Sequence, residues 1–189
     1  AFNVAVGNAA LQSNSGGATN SAFGYGSLSA NTTGSYNNAF GYAALDANTD
    51  GNHNCGFGRD ALGANVHGDY NVAIGNYALD SVAGTNYGNI AIGYEAGKNG
   101  SNVNFGLNIF IGTSAGKISS GDGGDSLYNV GLGNDTLTSL SGGDRNNCIG
   151  RAAGDSITNH GSIDIVTLTA GGHVRSTPNV IADGAQSFG

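Results

Sequence analysis

The chain of 189 residues contains no Met, no Trp and one Pro, only 10% of it is charged, and Cys occurs twice. Each shortage excludes something. With 35 Gly and so few bulky side chains, an irregular globular core of the usual kind is out of reach. Six Lys and Arg against 13 Asp and Glu give a net charge of -7, so little is available to neutralise phosphates. Nucleic acid and anionic membrane surfaces are therefore set aside as partners. No apolar run approaches a membrane-spanning length and no charged, apolar leader precedes the first residues, so this segment is not expected to insert into a membrane. The missing Met, with Ala1 already inside a repeated pattern, reads as a piece of something longer.

What is present is repetition. The stretch Asn71-Val72-Ala73-Ile74-Gly75 returns in recognisable form nine times, starting at Asn3, Asn20, Asn37, Asn54, Asn71, Asn89, Asn108, Asn129 and Asn146. The first four intervals are 17 residues each and the later ones 18, 19, 21 and 17, which is a repeat with insertions in its spacers. Four residues after each Asn stands a Gly, from Gly7 to Gly150, preceded by a large apolar residue such as Phe40 or Ile74. The residue before that is small, usually Ala, with Gly56, Gly131 and Cys148 as variants and Phe110 as the bulky exception. A second apolar column follows at Leu11, Leu28, Leu45, Leu62, Leu79 and Leu137, replaced by Gly97, Gly116 and Gly154 in three copies.

The core of each copy alternates like a short strand, its Gly permits a turn or a close backbone approach, and no segment holds a helical apolar period. The expected fold is all-β: a parallel β-solenoid of about nine coils, one per copy of about 17 residues. On this reading the Ile74 column fills each coil, and the small Ala73 column on the opposite strand face permits close lateral packing. The Asn column is expected to form a structural ladder, amide to carbonyl along the axis. In such a stack Cys55 and Cys148 are roughly 24 Å apart at about 4.8 Å per rung, too far for a bridge, and both read as small core residues. Residues 1–158 form the repeat shaft. From about Thr158 the repeat fails, and residues 159–189 read as a C-terminal β cap built on a strand over 162–169, followed by an exit segment.

Catalytic and metal-binding patterns are scarce. His53, His67, His160 and His173 have no Cys or carboxylate at ligand spacing. Asp122 and Asp125 in a Gly-rich spacer lack the spaced oxygens of a calcium loop, so neither metal nor cofactor is expected. Asp46 and Asp80, in equivalent repeat positions, are the one pair that invites glycoside hydrolysis; repeats align carboxylates without any such purpose, and no enzyme activity is expected. An ice-binding face would need a file of Thr, but the position five before each Asn reads Ser15, Thr32, Thr49, Val66, Gly84. Candidate contacts to sugars are Tyr25, Tyr42 and Tyr94, which share the position after the Gly. Asn99, Asn102, Asn104, Asp122 and Asp125 in the lengthened spacers are further candidates, since insertions emerge on one side of a solenoid.

Val72-Ala73-Ile74-Gly75 and Ile90-Ala91-Ile92-Gly93 resemble the head repeats of YadA-like trimeric autotransporter adhesins. The fuller unit, in Tyr36 to Leu45, is more similar to the repeat shafts of phage and algal-virus tail fibres. The segment Val166 to Val174 is similar to the strand that precedes their self-cleaving chaperone. The resemblance covers about residues 1 to 175. It implies a left-handed β-roll in each chain, a side-by-side homotrimer, and a place in a virion tail fibre or on a cell surface, where the rod holds loops against a host glycan. A bacterial trimeric adhesin head, a tailspike-like polysaccharide-degrading enzyme and an ice-binding solenoid are the alternatives.

Overall fold

A computed structural model describes residues 2–81, 86–98, 105–118, 126–138, 143–154 and the short strand at 166–167. Among these there is no helix, and the protein is a parallel β-solenoid. Its strands are β1 (Val4–Val6), β2 (Ser21–Phe23), β3 (Asn38–Phe40), β4 (Cys55–Phe57), β5 (Val72–Ile74), β6 (Ile90–Ile92), β7 (Phe105–Gly106), β8 (Ile109–Ile111), β9 (Ser126–Leu127), β10 (Val130–Leu132), β11 (Asn147–Ile149) and β12 (Val166–Thr167). All but β7 and β9 form one ten-stranded sheet in chain order, and β7 and β9 pair separately. Register is that of the repeat, with Ala22 beside Ala39, Gly56 beside Ala73, and Ala91 beside Phe110.

The solenoid makes about seven turns, fewer than the nine expected. Counting Asn starts counts strands, whereas a turn also needs its return leg, and the spacers of the later copies lie partly outside the described residues. Of the expected cap, only β12 is described; it pairs parallel to β11, Cys148 beside Val166, so it continues the sheet.

Strand orientation is the reverse of the expectation. Ala22, Ala39, Ala73 and Ala91 are fully buried and Gly56 is buried, while Phe57, Ile74 and Ile111, one residue after that column, are exposed. The small column faces the lumen and the large one faces solvent. The cause is the size of the coil. With so few residues per turn the interior is narrow, and it is already filled by Leu28, Leu45, Leu62, Leu79 and Leu137 with a second small column at Ala44, Ala61, Ala78, Ala96 and Ala115. A Cβ at Gly56 would already sit 3.5 Å from the Leu45 side chain. Each buried Leu contributes about 1.5–3 kcal/mol, which makes this column the main apolar support of a thin core. Cys148 lies in it, whereas Cys55 stands on the outward face and is half-buried, so only one of the two cysteines is a core residue.

Two sequence exceptions explain each other. Phe110 enters the lumen where Ala is the rule, and a Cβ at Gly116 would lie 2.4 Å from its ring, another at Gly97 3.4 Å from it. The ring occupies the space that Leu gives up in those two copies, with Phe105 tilted against it at 6.0 Å.

Asn is the second main component of the interior. From Asn20 to Asn146 the Asn column is buried. Oδ1 of Asn3, Asn20 and Asn37 accepts the backbone N–H of the Asn one rung on, at 2.8–2.9 Å. The Nδ2 of Asn20, Asn37 and Asn54 donates to the carbonyls of Gly34, Gly51 and Gly68 in the same coil. The expected amide-to-carbonyl ladder in this column begins only at Asn71, whose Nδ2 donates to Asn54 Oδ1 at 3.1 Å, and continues through Asn89, Asn108, Asn129 and Asn146. Earlier coils place that ladder elsewhere: Asn31, Asn48 and Asn65 each donate to Oδ1 of the preceding Asn14, Asn31 and Asn48. A thin core lined by amides stays folded because most of its buried polar groups have partners, while Asn65 Oδ1 and Asn146 Oδ1, where the two ladders end, accept no hydrogen bond among the described residues.

The Gly four residues after each Asn has two reasons to be Gly. At Gly41 the backbone has φ 148, and a Cβ would meet the Gly58 carbonyl oxygen at 2.3 Å. Elsewhere the coil forces ordinary residues into the left-handed region, among them Leu45 (φ 54) and Tyr70 (φ 60). That conformation costs about 1–2 kcal/mol per residue. It is offset because the turned peptide aims its N–H along the axis, as Leu45 N–H does to the Ala61 carbonyl at 3.0 Å.

Candidate functional site

The outward face of the long sheet is a strip of exposed apolar side chains. It carries Val4, Val6, Phe57, Ile74, Ile109, Ile111 and Ile149, each more than a third exposed, along the length of the rod. Monomeric soluble proteins rarely leave so continuous an apolar strip open to water. Its character changes along the axis. In β2 to β4 a single file of Phe23, Phe40 and Phe57 stacks at 4.6 Å, next to polar Ser21, Asn38 and Cys55. From β5 to β10 both outward columns are aliphatic, Val72 with Ile74, Ile90 with Ile92, Ile109 with Ile111 and Val130 with Leu132.

Two further files flank this strip. One contains the tyrosines singled out from the sequence. Tyr25 stacks on Tyr42 at 5.3 Å, and the guanidinium of Arg59 lies 5.5 Å from Tyr42 and 5.6 Å from Tyr77. Lys98 Nζ sits 4.7 Å from the Tyr77 ring, and Tyr94 meets that ring edge-on at 87°. By rung order, Tyr42 has Tyr25 on one face and Arg59 on the other, while Tyr77 has a cation on each face. Both faces of Tyr42 are thus engaged within the protein, whereas Tyr25 stacks on a single ring and Tyr94 makes one edge-type contact, and a sugar stacks on faces. Tyr42 is therefore a poorer sugar platform than its exposure suggests.

The second file, Tyr36, His53 and Tyr70, is stacked in parallel at 4.8 and 4.9 Å. Tyr36, Tyr70 and Tyr128 share the position before the Asn in the sequence; His53 stands in the same column, which the period alone would have revealed. His67 pairs with Asp50 at 2.6 Å. His160 and His173, like Asn99, Asn102, Asn104, Asp122 and Asp125, lie outside the described residues.

Asp46 and Asp80 do come near one another, leaning over the side-chain-free Gly63, where a Cβ would be 3.6 and 3.2 Å from their respective Oδ1 atoms. Burial, with Asp60 nearby, raises the Asp46 pKa, while Asp80 is engaged by Lys98 at 3.2 Å. Lys98 also reaches Glu95 at 3.6 Å, and Lys117 pairs with Glu95 and lowers its pKa, which makes a chain of ion pairs across the coils where the spacers lengthen. Held this way, Asp80 is a link in that chain. Among the described residues no group of three His, Cys, Asp or Glu is placed to hold a metal ion.

No protein-family model, no curated protein and no solved structure matches the chain. What the geometry defines is a parallel β-solenoid with an apolar outward face and two ring files beside it.

Proposed function

We propose that this chain is a segment of a structural fibre, a rod that assembles with copies of itself into a homotrimer and serves as a host-surface adhesin toward cell-surface glycans, as in a virion tail fibre. The observation that carries the reading is the open apolar strip running the length of the sheet. Copies placed in parallel share one rung height, so each Phe or Ile of one copy meets its counterpart in the next, and the strip is removed from water without any change in the coil. Three weak sugar sites held on one rod gain affinity through effective concentration, which suits an attachment fibre. Its action is mechanical and adhesive, without a catalytic step.

The test uses Ile74→Asp with Ile92→Asp, two outward positions whose change leaves the lumen untouched. The native chain is expected to run as a detergent-resistant multimer, with the Cys55 thiol protected from maleimide. The double variant is expected to run as a single chain with an unchanged circular dichroism spectrum and a reactive Cys55. A double variant that keeps the native mass contradicts the reading. Cys148, buried and with its pKa pushed up to about 11, stays unreactive in both until the chain unfolds.

A further inference from the structure

The Tyr36, His53, Tyr70 file stops at Gly88, although its backbone does not. Tyr70 N–H donates to the Asn52 carbonyl at 3.0 Å, Gly88 N–H to the Asp69 carbonyl at 3.0 Å and Leu107 N–H to the Tyr87 carbonyl at 2.9 Å. The φ angles of the three are 60, 66 and 57. Gly88 thus occupies the fourth place in a ring stack and supplies no ring. In consequence one face of Tyr70 carries no ring among the described residues, and at 62% it is the most exposed tyrosine among them. Leu107 leans into the gap, its Cδ2 2.9 Å from where a Gly88 Cβ would be, and makes the gap's floor aliphatic. Beyond it stands Tyr128, whose far side is covered by Arg145 at 5.7 Å. By rung count the two tyrosines are about 14 Å apart, at about 4.8 Å per rung.

We propose that this notch, with Tyr70 and Tyr128 as walls and Gly88 and Leu107 as floor, is a subsite for a neutral hexopyranose whose C–H face lies flat on the Tyr70 ring. The proposal rests on the adhesin reading above and names where a glycan is held. The flat, electron-rich face of Tyr70 attracts the weakly positive C–H bonds of a pyranose. Sugar hydroxyls remain at the mouth, in water and beside the phenols. The net charge of -7 disfavours acidic sugars, and the apolar floor disfavours a hydrated cation.

The variant that tests this is Gly88→Tyr, which completes the stack. The column already carries tyrosine at the same backbone angles at Tyr36, Tyr70 and Tyr128, and the end of the flexible Leu107 side chain has only to turn aside, so the variant is expected to fold, as circular dichroism and native mass will show. Saturation-transfer NMR with methyl glycosides of glucose, galactose and mannose is expected to show transfer from the native chain to the C–H protons of one face. Gly88→Tyr and, separately, Tyr70→Ala are expected to weaken binding about tenfold or more, the loss of roughly one aromatic contact. Transfer undiminished in Gly88→Tyr, or transfer to tetramethylammonium in place of the sugars, overturns the proposal. A glycan array run in parallel separates the two readings. Binding lost in Gly88→Tyr supports both, binding equal in both chains removes this subsite and leaves the adhesin, and binding by neither removes both.

Discussion

The rod has two halves that solve one problem differently. From Asn3 to Tyr70 every interval is 17 residues, rings stack within 10° of parallel, and the amide ladder runs through Asn14, Asn31, Asn48 and Asn65. From Asn89 onward the intervals vary, the outward face is aliphatic, the Leu column yields to Phe110, and the ladder moves to the Asn that opens each copy. A flat ring stacks only on a partner at the same height and azimuth, so it demands a strict period, whereas Ile and Val pack tolerably when the neighbouring coil shifts. The aromatic files are therefore confined to coils of identical spacing, whereas aliphatic faces occur both there, at Val4 and Val6, and in the coils with insertions.

What both halves share is the Gly that passes under the next coil. Gly41→Ala and Gly112→Ala would each drive a Cβ to within 2.3–2.5 Å of the next backbone. Each is expected to cost more than about 4 kcal/mol, the largest class of effect for a point change. Gly26→Ala, where a Cβ meets nothing within 4 Å, should cost only about 1–2 kcal/mol, the strain of its φ of 67. Urea unfolding of the three separates close approach from backbone strain, and a mild Gly112→Ala would mean that the insertions have loosened the second half.

Next in size is the exchanged core. Phe110→Ala is expected to cost about 3–5 kcal/mol, and adding Gly116→Leu should restore part of it by returning that coil to the pattern of the first half. An additive double variant would show that Phe110 and Gly116 are not a compensating pair. Smaller again is Asn48→Ala, expected to cost about 1–3 kcal/mol by stranding the Asn31 Oδ1 and breaking the ladder bond that Asn65 Nδ2 donates to Asn48 Oδ1. Asn108→Ala should cost more, since Asn108 joins Asn89, Ser126 and Asn129 through both ends of its amide. The least effect belongs to Asp46. Its pKa is raised by burial and by Asp60, so the stability tied to its protonated form is present below pH 3.8 and lost as pH rises through the folded pKa. Asp46→Asn is accordingly expected to stabilise slightly at neutral pH, and the gain should vanish in acid; thermal melts at the two pH values measure it.

The period, the parallel sheet and the identity of the columns were all legible in the sequence, because a residue that recurs every 17 positions must stack on itself. Which face of the strand pointed inward was not. Alternation places Ala73 and Ile74 on opposite faces without saying which is inside, and ordinary hydrophobic reasoning put Ile74 there; the narrow lumen, already holding the Leu column, decided otherwise. Phe110 and the Gly97 and Gly116 replacements looked like independent irregularities because their link is a contact across coils. The tyrosines at 25, 42 and 94 were visible as a file, but only their geometry showed that Tyr25 and Arg59 flank Tyr42, and that Tyr70 beside Gly88 is the most exposed tyrosine among the described residues.

The most direct test of the account is the mass of the native particle in solution by light scattering. The open strip along β1 to β11 predicts three times the 18.7 kDa of one chain, persisting in detergent and lost only on denaturation. A stable particle with the mass of a single chain would contradict it, because the apolar face would then have no copy of itself to cover it.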